Sequence, residues 1–234
     1  MNTIFISGES INLCAPVEED FEQWASWFNS QEKTKFLAQG KYPNTVELQK
    51  DFYKNAISSG RFLTMIKTKS MRLLGVISLS EIEYEKSSCQ ISLVCPEKSK
   101  KSILAPLEAM ALVTEHAFQR LGLSRVWAGQ PYPGLLDWNK RLEIIGYKAE
   151  GITRNSFVHG CIESDSVFIS IIKQDYLNII ARRNNVLWPG EKHARSMISN
   201  MKNSLSLSEE LYNFLRQNYE NFDKRLYTLE KESE

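Results

Sequence analysis

Leu123-Ser-Arg-Val-Trp-Ala-Gly129, then Lys140-Arg-Leu-Glu-Ile-Ile-Gly-Tyr147, Glu150-Gly-Ile-Thr-Arg154 and Phe157-Val-His-Gly160, set the order strand, helix, Gly-Tyr turn, hairpin. Arg125–Gln130 has the short β-branched and aromatic content of a strand, while the apolar residues from Leu135 to Ile145 recur at helical spacing. The runs Ile152–Phe157 and Val167–Ile172 face one another across His159-Gly160 and predict a closing hairpin.

Upstream of this stretch the pattern is antiparallel. Ile11-Asn-Leu-Cys-Ala-Pro16 alternates as a first strand, and Val17, Phe21, Trp24 and Phe28 mark an amphipathic helix after it. A second helix is expected to start at Asn44-Thr-Val-Glu47, where a capping oxygen precedes a Glu by three residues, and to end near Ser58-Ser-Gly60. Phe62–Lys67 and Leu73–Leu79 read as a hairpin joined by a polar turn, and Cys89–Val94 as a fourth strand. Pro106 suits the first turn of the next helix, which Gly122 ends; Arg125–Gln130 is then the fifth strand. The chain is therefore expected to be a mixed α/β domain whose antiparallel strands precede one strand–helix–strand crossover. Beyond Lys173, Asn184-Asn185 and Trp188-Pro-Gly190 interrupt the pattern, so residues 177–234 are expected to be a helical extension to a domain of residues 1–176. Within it, Ser206-Leu-Ser-Glu209 fits a capping box, and Leu207, Leu211, Phe214, Leu215, Phe222, Leu226 and Leu229 form an apolar stripe on a helix from about Ser208 to Leu229. That stripe either covers the domain's own surface or forms an interface with a partner, such as a second copy in a homodimer.

The bulk composition excludes several classes of function. Among 234 residues, 29 Lys and Arg stand against 28 Asp and Glu, so no long-range field gathers polyanions and nucleic acid is not an expected partner. No apolar run approaches the roughly 20 residues that span a bilayer, and the first residues carry no basic region ahead of a long apolar run. A cytoplasmic location without membrane contact is expected. Cys14, Cys89, Cys95 and Cys161 have no CxxC spacing and no His cluster beside them, which reads as free thiols in a reducing compartment, with no metal site.

The order and residues of the 123–173 stretch resemble the C-terminal half of the GCN5-related N-acetyltransferases (the GNAT superfamily), especially the branch that holds the ribosomal-protein N-terminal acetyltransferases. Leu142, Glu143, Gly146 and Tyr147 keep the branch's Leu-Glu-x-x-Gly-Phe pattern, and Glu150-Gly151 with Arg154 keeps its Glu-Gly-x-x-Arg. The resemblance covers about residues 9–176. It implies a GNAT fold whose mixed central sheet has splayed fourth and fifth strands, with acetyl-CoA as co-substrate and a primary amine as acceptor. In that family the cofactor arm lies between the splayed strands, here along Leu93 and Val94, and the pyrophosphate sits at the N-terminus of the following helix.

The corresponding loop departs from the family's glycine-rich pattern. It reads Glu97-Lys-Ser-Lys-Lys-Ser-Ile-Leu-Ala-Pro106, with Leu104 or Ala105 in place of a glycine and Pro106 lacking an amide donor. The resemblance therefore assigns cofactor contact to Lys98, Lys100, Lys101, Ser102, Leu104 and Ala105, with lysine charge compensating for lost amides. The Asn and Ser that touch the cofactor arm in the family are Leu135 and Trp138 here, and Asn139 or Asp137 is the expected substitute. Ser92 and Tyr132 are the candidates for orienting the amine or protonating the leaving thiolate, and Glu83, with Glu81 and Glu85, for relaying the amine's proton through water. His159 is read as a turn residue and His116 as a packed side chain.

Trp24-Ala-Ser-Trp-Phe-Asn29, Thr34-Lys-Phe-Leu37 and Gly40-Lys-Tyr-Pro-Asn-Thr45 resemble acetyltransferases that modify nucleotide-linked amino sugars for bacterial surface glycans. The expected acceptor is such a sugar. A protein N-terminus is the alternative acceptor, and a non-catalytic scaffold built on the same fold is the alternative that the altered loop favours.

Overall fold

The computed structural model describes residues 3–99, 103–159, 162–201, 207 and 209–218. Eight strands make one sheet: β1 (Ile4–Ser7), β2 (Ile11–Cys14), β3 (Phe62–Thr68), β4 (Leu73–Glu83), β5 (Ser88–Val94), β6 (Arg125–Tyr132), β7 (Lys148–His159) and β8 (Ile162–Ile172). Their spatial order is β1-β2-β3-β4-β5-β6-β8-β7, and only the β5–β6 pair is parallel. This is the expected mixed α/β architecture, with one strand more than the sequence pattern indicated. The strand β1 escaped it because four residues at a sheet edge, all exposed but the half-buried Ile6, carry no clear alternation.

Helices cover both faces. On one side α4 (Ala105–Gln119) lies against β2, β4, β5 and β6, burying Leu107, Met110, Val113 and Ala117 on Ile66, Leu74 and Ile77. On the other, α1 (Asp20–Phe28) and α3 (Val46–Ser58) cover β3, where Phe21, Trp24 and Trp27 pack on Leu63, Met65 and Val76. The period-two alternation of β3 explains the division, since Leu63, Met65 and Lys67 point to α1 while Ile66 points to α4. Lys67 reaches Asp20 in the first turn of α1. A short helix, α2 (Gln31–Thr34), follows α1; Ser30 caps it, accepting from the Lys33 amide.

The cap of α3 differs from expectation by one residue. Thr45 accepts from the Leu48 amide at 3.2 Å, whereas Asn44 is tied back to α1 through the Asn29 side chain at 2.8 Å and donates to Gln49. After β6 comes α5 (Leu136–Leu142), tightened by a 3-10 turn over Glu143–Ile145 that ends at Gly146. Gly146 has φ +92, and a Cβ there would stand 2.4 Å from Ile179 Cδ1 and 2.9 Å from Ile171 Cδ1. The Gly-Tyr turn is thus required by both backbone and packing.

The expected boundary between residues 176 and 177 falls inside α6 (Lys173–Ile180). Downstream of it, α7 (Glu191–Ser199) contributes Ala194, and the connecting loop contributes Leu187 and Trp188, to the same core that α4 fills. Trp188 Nε1 and the Glu191 amide both donate to Glu9 Oε2, at 2.7 and 2.9 Å. The tail helix α8 spans Glu209–Asn218, with Leu211 half-buried. Phe214, expected to be buried, is 53% exposed; Phe222, Leu226 and Leu229 lie outside the described residues. Cys14 and Cys89 are buried free thiols and Cys95 is half-buried; Cys161 is outside the described residues. No helix among the described residues is long and apolar enough to cross a membrane, and none of their His, Cys, Asp and Glu side chains form a group that could hold a metal ion.

Candidate active site

The parallel strands β5 and β6 pair over three residues only, Ser88 to Gln90 with Arg125 to Trp127. Past that point each strand follows its other neighbour. Ile91–Val94 continue against β4, in register with Leu79, Ser78, Ile77 and Val76, while Ala128–Tyr132 continue against β8, from Ile169 to Asp165. The sheet opens into a wedge. Peptide groups of Ile91–Val94 that point away from β4 then have no partner strand, and they face a cleft of about 720 Å³. A glycine helps to place this edge: a Cβ at Gly75 would stand 2.4 Å from the Val94 carbonyl oxygen, so only glycine lets β4 approach the end of β5.

The cleft is walled on one side by Ser92, Leu93 and Val94 of β5 and on the other by Ala128, Gly129 and Gln130 of β6. Leu104, Pro106 and Met110 bring in the first turns of α4, and Leu135 and Trp138 the start of α5. Aromatic rings close the remaining sides, with Trp24 and Phe28 from α1, Phe36, Phe52 from α3, Phe157 from β7 and Phe168 from β8. Three cations reach the surface of the cleft, Lys33, Arg61 and Arg141, and no Asp or Glu among the described residues does. Lys33 is held by Glu97, 2.6 Å away, whose same oxygen accepts from Trp27 Nε1 at 3.0 Å. The Lys33 bond is the main reason that the Glu97 carboxyl lies below the usual carboxylate range.

The structure brings several expected residues together and separates others. Ser92, Leu93, Val94 and Leu104 line the cleft, and Ala105 is buried beneath it in the first turn of α4. Tyr132 ends β6 next to the lining residue Pro131; burial pushes its hydroxyl pKa up, and Asp165 adds to that. Lys98 is exposed, and its carbonyl accepts from Arg72 Nη2 at 2.8 Å. Lys100, Lys101 and Ser102 lie outside the described residues. Asn139 is 1% exposed, and neither atom of its amide has a hydrogen-bond partner.

Glu83 lies apart from the cleft. The strand β4 extends four residues past the expected end at Leu79, which carries Glu83 away from the cleft and leaves it 44% exposed in an ion pair with Lys86 at 2.5 Å. Glu81, in a left-handed turn of the same strand at φ +50, lines a separate cavity instead. The cations Lys33, Arg61 and Arg141 were missed in the sequence, because single charged residues beside helix ends have no spacing that distinguishes them from solvated ones.

Comparison with known proteins agrees with this geometry. The family model described as an acetyltransferase (GNAT) domain matches residues 11–129. Among solved structures, the spermidine N-acetyltransferase of Vibrio cholerae in complex with CoA and spermine superposes with a TM-score of 0.63 at 16% identity, covering 73% of this chain and 100% of that one. A chimera of that enzyme with hSSAT gives 0.62 at 17% identity over 73% and 99% of the two chains. A structure titled "Probable acetyltransferase" gives 0.61 at 21% identity over 72% and 96%. At these identities the likeness is one of fold. No curated protein matches the sequence.

Proposed function

Because the chain belongs to the acetyltransferase (GNAT) domain family, whose members transfer acetyl from acetyl-CoA to an amine, we propose that the amine it acetylates is a nucleotide-linked amino sugar. The observation that carries this reading is the charge of the cleft. Of the three cationic lining side chains Lys33 is paired with Glu97, which leaves Arg61 and Arg141; with no acidic side chain among the described lining residues, these disfavour a polyamine or other multiply charged cation and favour an acceptor that brings its own negative charge. The aromatic walls suit the flat faces of a sugar or base. Surface-glycan biosynthesis is the setting that such an acceptor fits.

The wedge between β5 and β6 fits the cofactor. Its unpaired peptide groups match the amide-rich arm of acetyl-CoA, which supplies the acetyl group already activated as a thioester. In this reading Leu93 and Val94 hold the arm through their backbone, and the amides of the first turn of α4, at Leu104 and Ala105, face the pyrophosphate. Pro106 at that turn removes one donor, so Lys98, Lys100, Lys101 and Ser102 complete the phosphate contacts. Asn139, whose side-chain amide has both atoms buried and unpartnered, follows the lining residue Trp138 in α5 and is the polar group offered to the cofactor arm. Ser92 orients the amine, and Tyr132, whose raised pKa keeps it protonated, delivers a proton to the departing thiolate, which leaves as the CoA thiol. With no carboxylate among the described residues that line the cleft, the amine's proton leaves through water.

Residues 1–176 make up the catalytic unit in this reading and 177–234 its extension. The test is release of free CoA thiol from acetyl-CoA with three acceptors: a uridine-diphosphate-linked amino sugar, spermidine and a peptide with a free N-terminus. Turnover with the sugar nucleotide should exceed the others. Faster turnover with spermidine or the peptide would reject the proposal.

A further inference from the structure

Two cavities meet at one arginine. Besides the main cleft, a second cavity of about 690 Å³ lies between the end of α3 and the end of β4, and Arg61 and Phe52 line both. The Arg61 guanidinium carbon stands 5.7 Å from the centroid of the Phe52 ring. No carboxylate among the described residues lies within ion-pair distance of Arg61, and its Nε is buried with no hydrogen-bond partner. Burial pulls its pKa down, opposed by the more distant Glu81 of the second cavity. A cation held in this way has donors to spare, in a planar fork that matches the oxygens of a phosphate.

The strand register fixes which end of the cleft it serves. Val94 pairs with Val76 at the end next to the α4 loop, where the cofactor's pyrophosphate belongs. Arg61 precedes Phe62, which pairs with Leu79 and through it with Ile91, so Arg61 stands toward the opposite end. An anion bound there is not part of the cofactor. The second cavity offers that anion a further donor in the Asn55 side chain, and Tyr84 adds a flat aromatic face; Glu81 also lines it, and the hydroxyls of Ser59 and Ser80 already donate to the Ala56 carbonyl and to Gln90.

We infer that Arg61 and the second cavity form a phosphate subsite for the acceptor, the guanidinium taking a phosphoryl group while the acceptor amine lies in the main cleft beside Ser92. This deepens the amino-sugar-nucleotide reading and rests on it for the identity of the acceptor. The diphosphate sits at the junction of the two cavities and the nucleoside in the second, against Phe52 and Tyr84.

Calorimetric titration of uridine diphosphate into protein saturated with CoA tests the subsite without turnover, since the CoA fills the cofactor's own phosphate site. The wild type should bind. Arg61→Gln should weaken binding by about ten- to a hundredfold, and Arg61→Lys, which keeps the charge and loses the fork, should fall between. No binding to the wild type, or equal binding by both variants, overturns the inference. In steady state, Arg61→Gln should raise KM for the sugar nucleotide by a similar factor and leave KM for acetyl-CoA within about twofold. A rise in the acetyl-CoA KM instead would place the guanidinium on the cofactor and also overturn it. If Arg61→Gln fails to fold, Arg61→Lys carries both measurements. A wild type that binds uridine diphosphate through Arg61 yet acetylates no sugar nucleotide would remove the acceptor proposed above and leave the subsite standing.

Discussion

The carboxylate of Asp20 and the ammonium of Lys67 lie 2.7 Å apart, with side chains 7% and 2% exposed, and this ion pair joins the start of α1 to the middle of the sheet. Asp20 also accepts the Val17 amide at 2.9 Å, so one carboxylate fixes both the entry to α1 and its seat on β3. Removing one partner leaves a buried charge alone. Asp20→Ala should therefore cost about 3–5 kcal/mol in urea unfolding, and Asp20→Ala with Lys67→Met distinctly less. A double variant as unstable as the single one would mean that the pair is not the reason for the loss.

The Gly-Tyr turn gives a second prediction. Gly146→Ala must place a Cβ in the left-handed region and against Ile179 and Ile171, so a loss of about 2 kcal/mol or more is expected in the same measurement. Unchanged stability would show that the turn relaxes freely.

A third concerns pH. Glu108 of α4 is fully buried and accepts from the Glu9 amide and from the Ser10 amide and hydroxyl; burial raises its pKa above 4.5, against the effect of those bonds. A carboxyl with a raised folded-state pKa holds its proton longer in the native state than in the unfolded one. Its contribution to stability is full below the unfolded value and is lost as pH rises through the folded one. The urea midpoint of the wild type should thus fall, relative to Glu108→Gln, as pH is raised from about 4.5. Parallel pH profiles would exclude the effect.

The lysines of the loop before α4 give a fourth. Changing Lys98, Lys100 and Lys101 together to Ala should weaken acetyl-CoA binding by about tenfold or more, and acetyl-pantetheine, which lacks the pyrophosphate, by much less. Equal losses for the two ligands would mean that these cations do not meet the phosphates.

A fifth concerns the extension. Trp188 is buried and bonded to Glu9, so Trp188→Ala should cost about 3–5 kcal/mol. A truncation after Arg183 should melt earlier and bind a hydrophobic dye. Unchanged melting would show that the core closes without this segment.

Much of the fold was legible because it rests on local pattern. The Gly146-Tyr147 turn, the β-branched and aromatic content of Arg125–Gln130 and the Pro106 start of α4 each state a backbone requirement that neighbouring residues satisfy. The site was legible mainly where strand order decides it, since Ser92, Leu93 and Val94 line the cleft that opens between β5 and β6. Glu83 lies apart from the cleft because β4 runs on to pair with Ser88 five residues later, through a polar stretch whose composition reads as a loop. Arg61 was overlooked for a different reason: its character comes from Phe52 and from two cavities that no single window of sequence contains.

The bond from Trp188 to Glu9 joins residues 179 positions apart. During synthesis the N-terminal strand emerges long before the indole that seals it, so β1, β2 and the Glu9–Ser10 turn wait with part of the α4 surface uncovered until the segment around Trp188 has left the ribosome. The sheet can assemble as the chain grows, but its first turn is locked late. Under conditions that slow or stall elongation beyond residue 180, the nascent protein should present this uncovered surface to chaperones, an exposure that the finished molecule conceals.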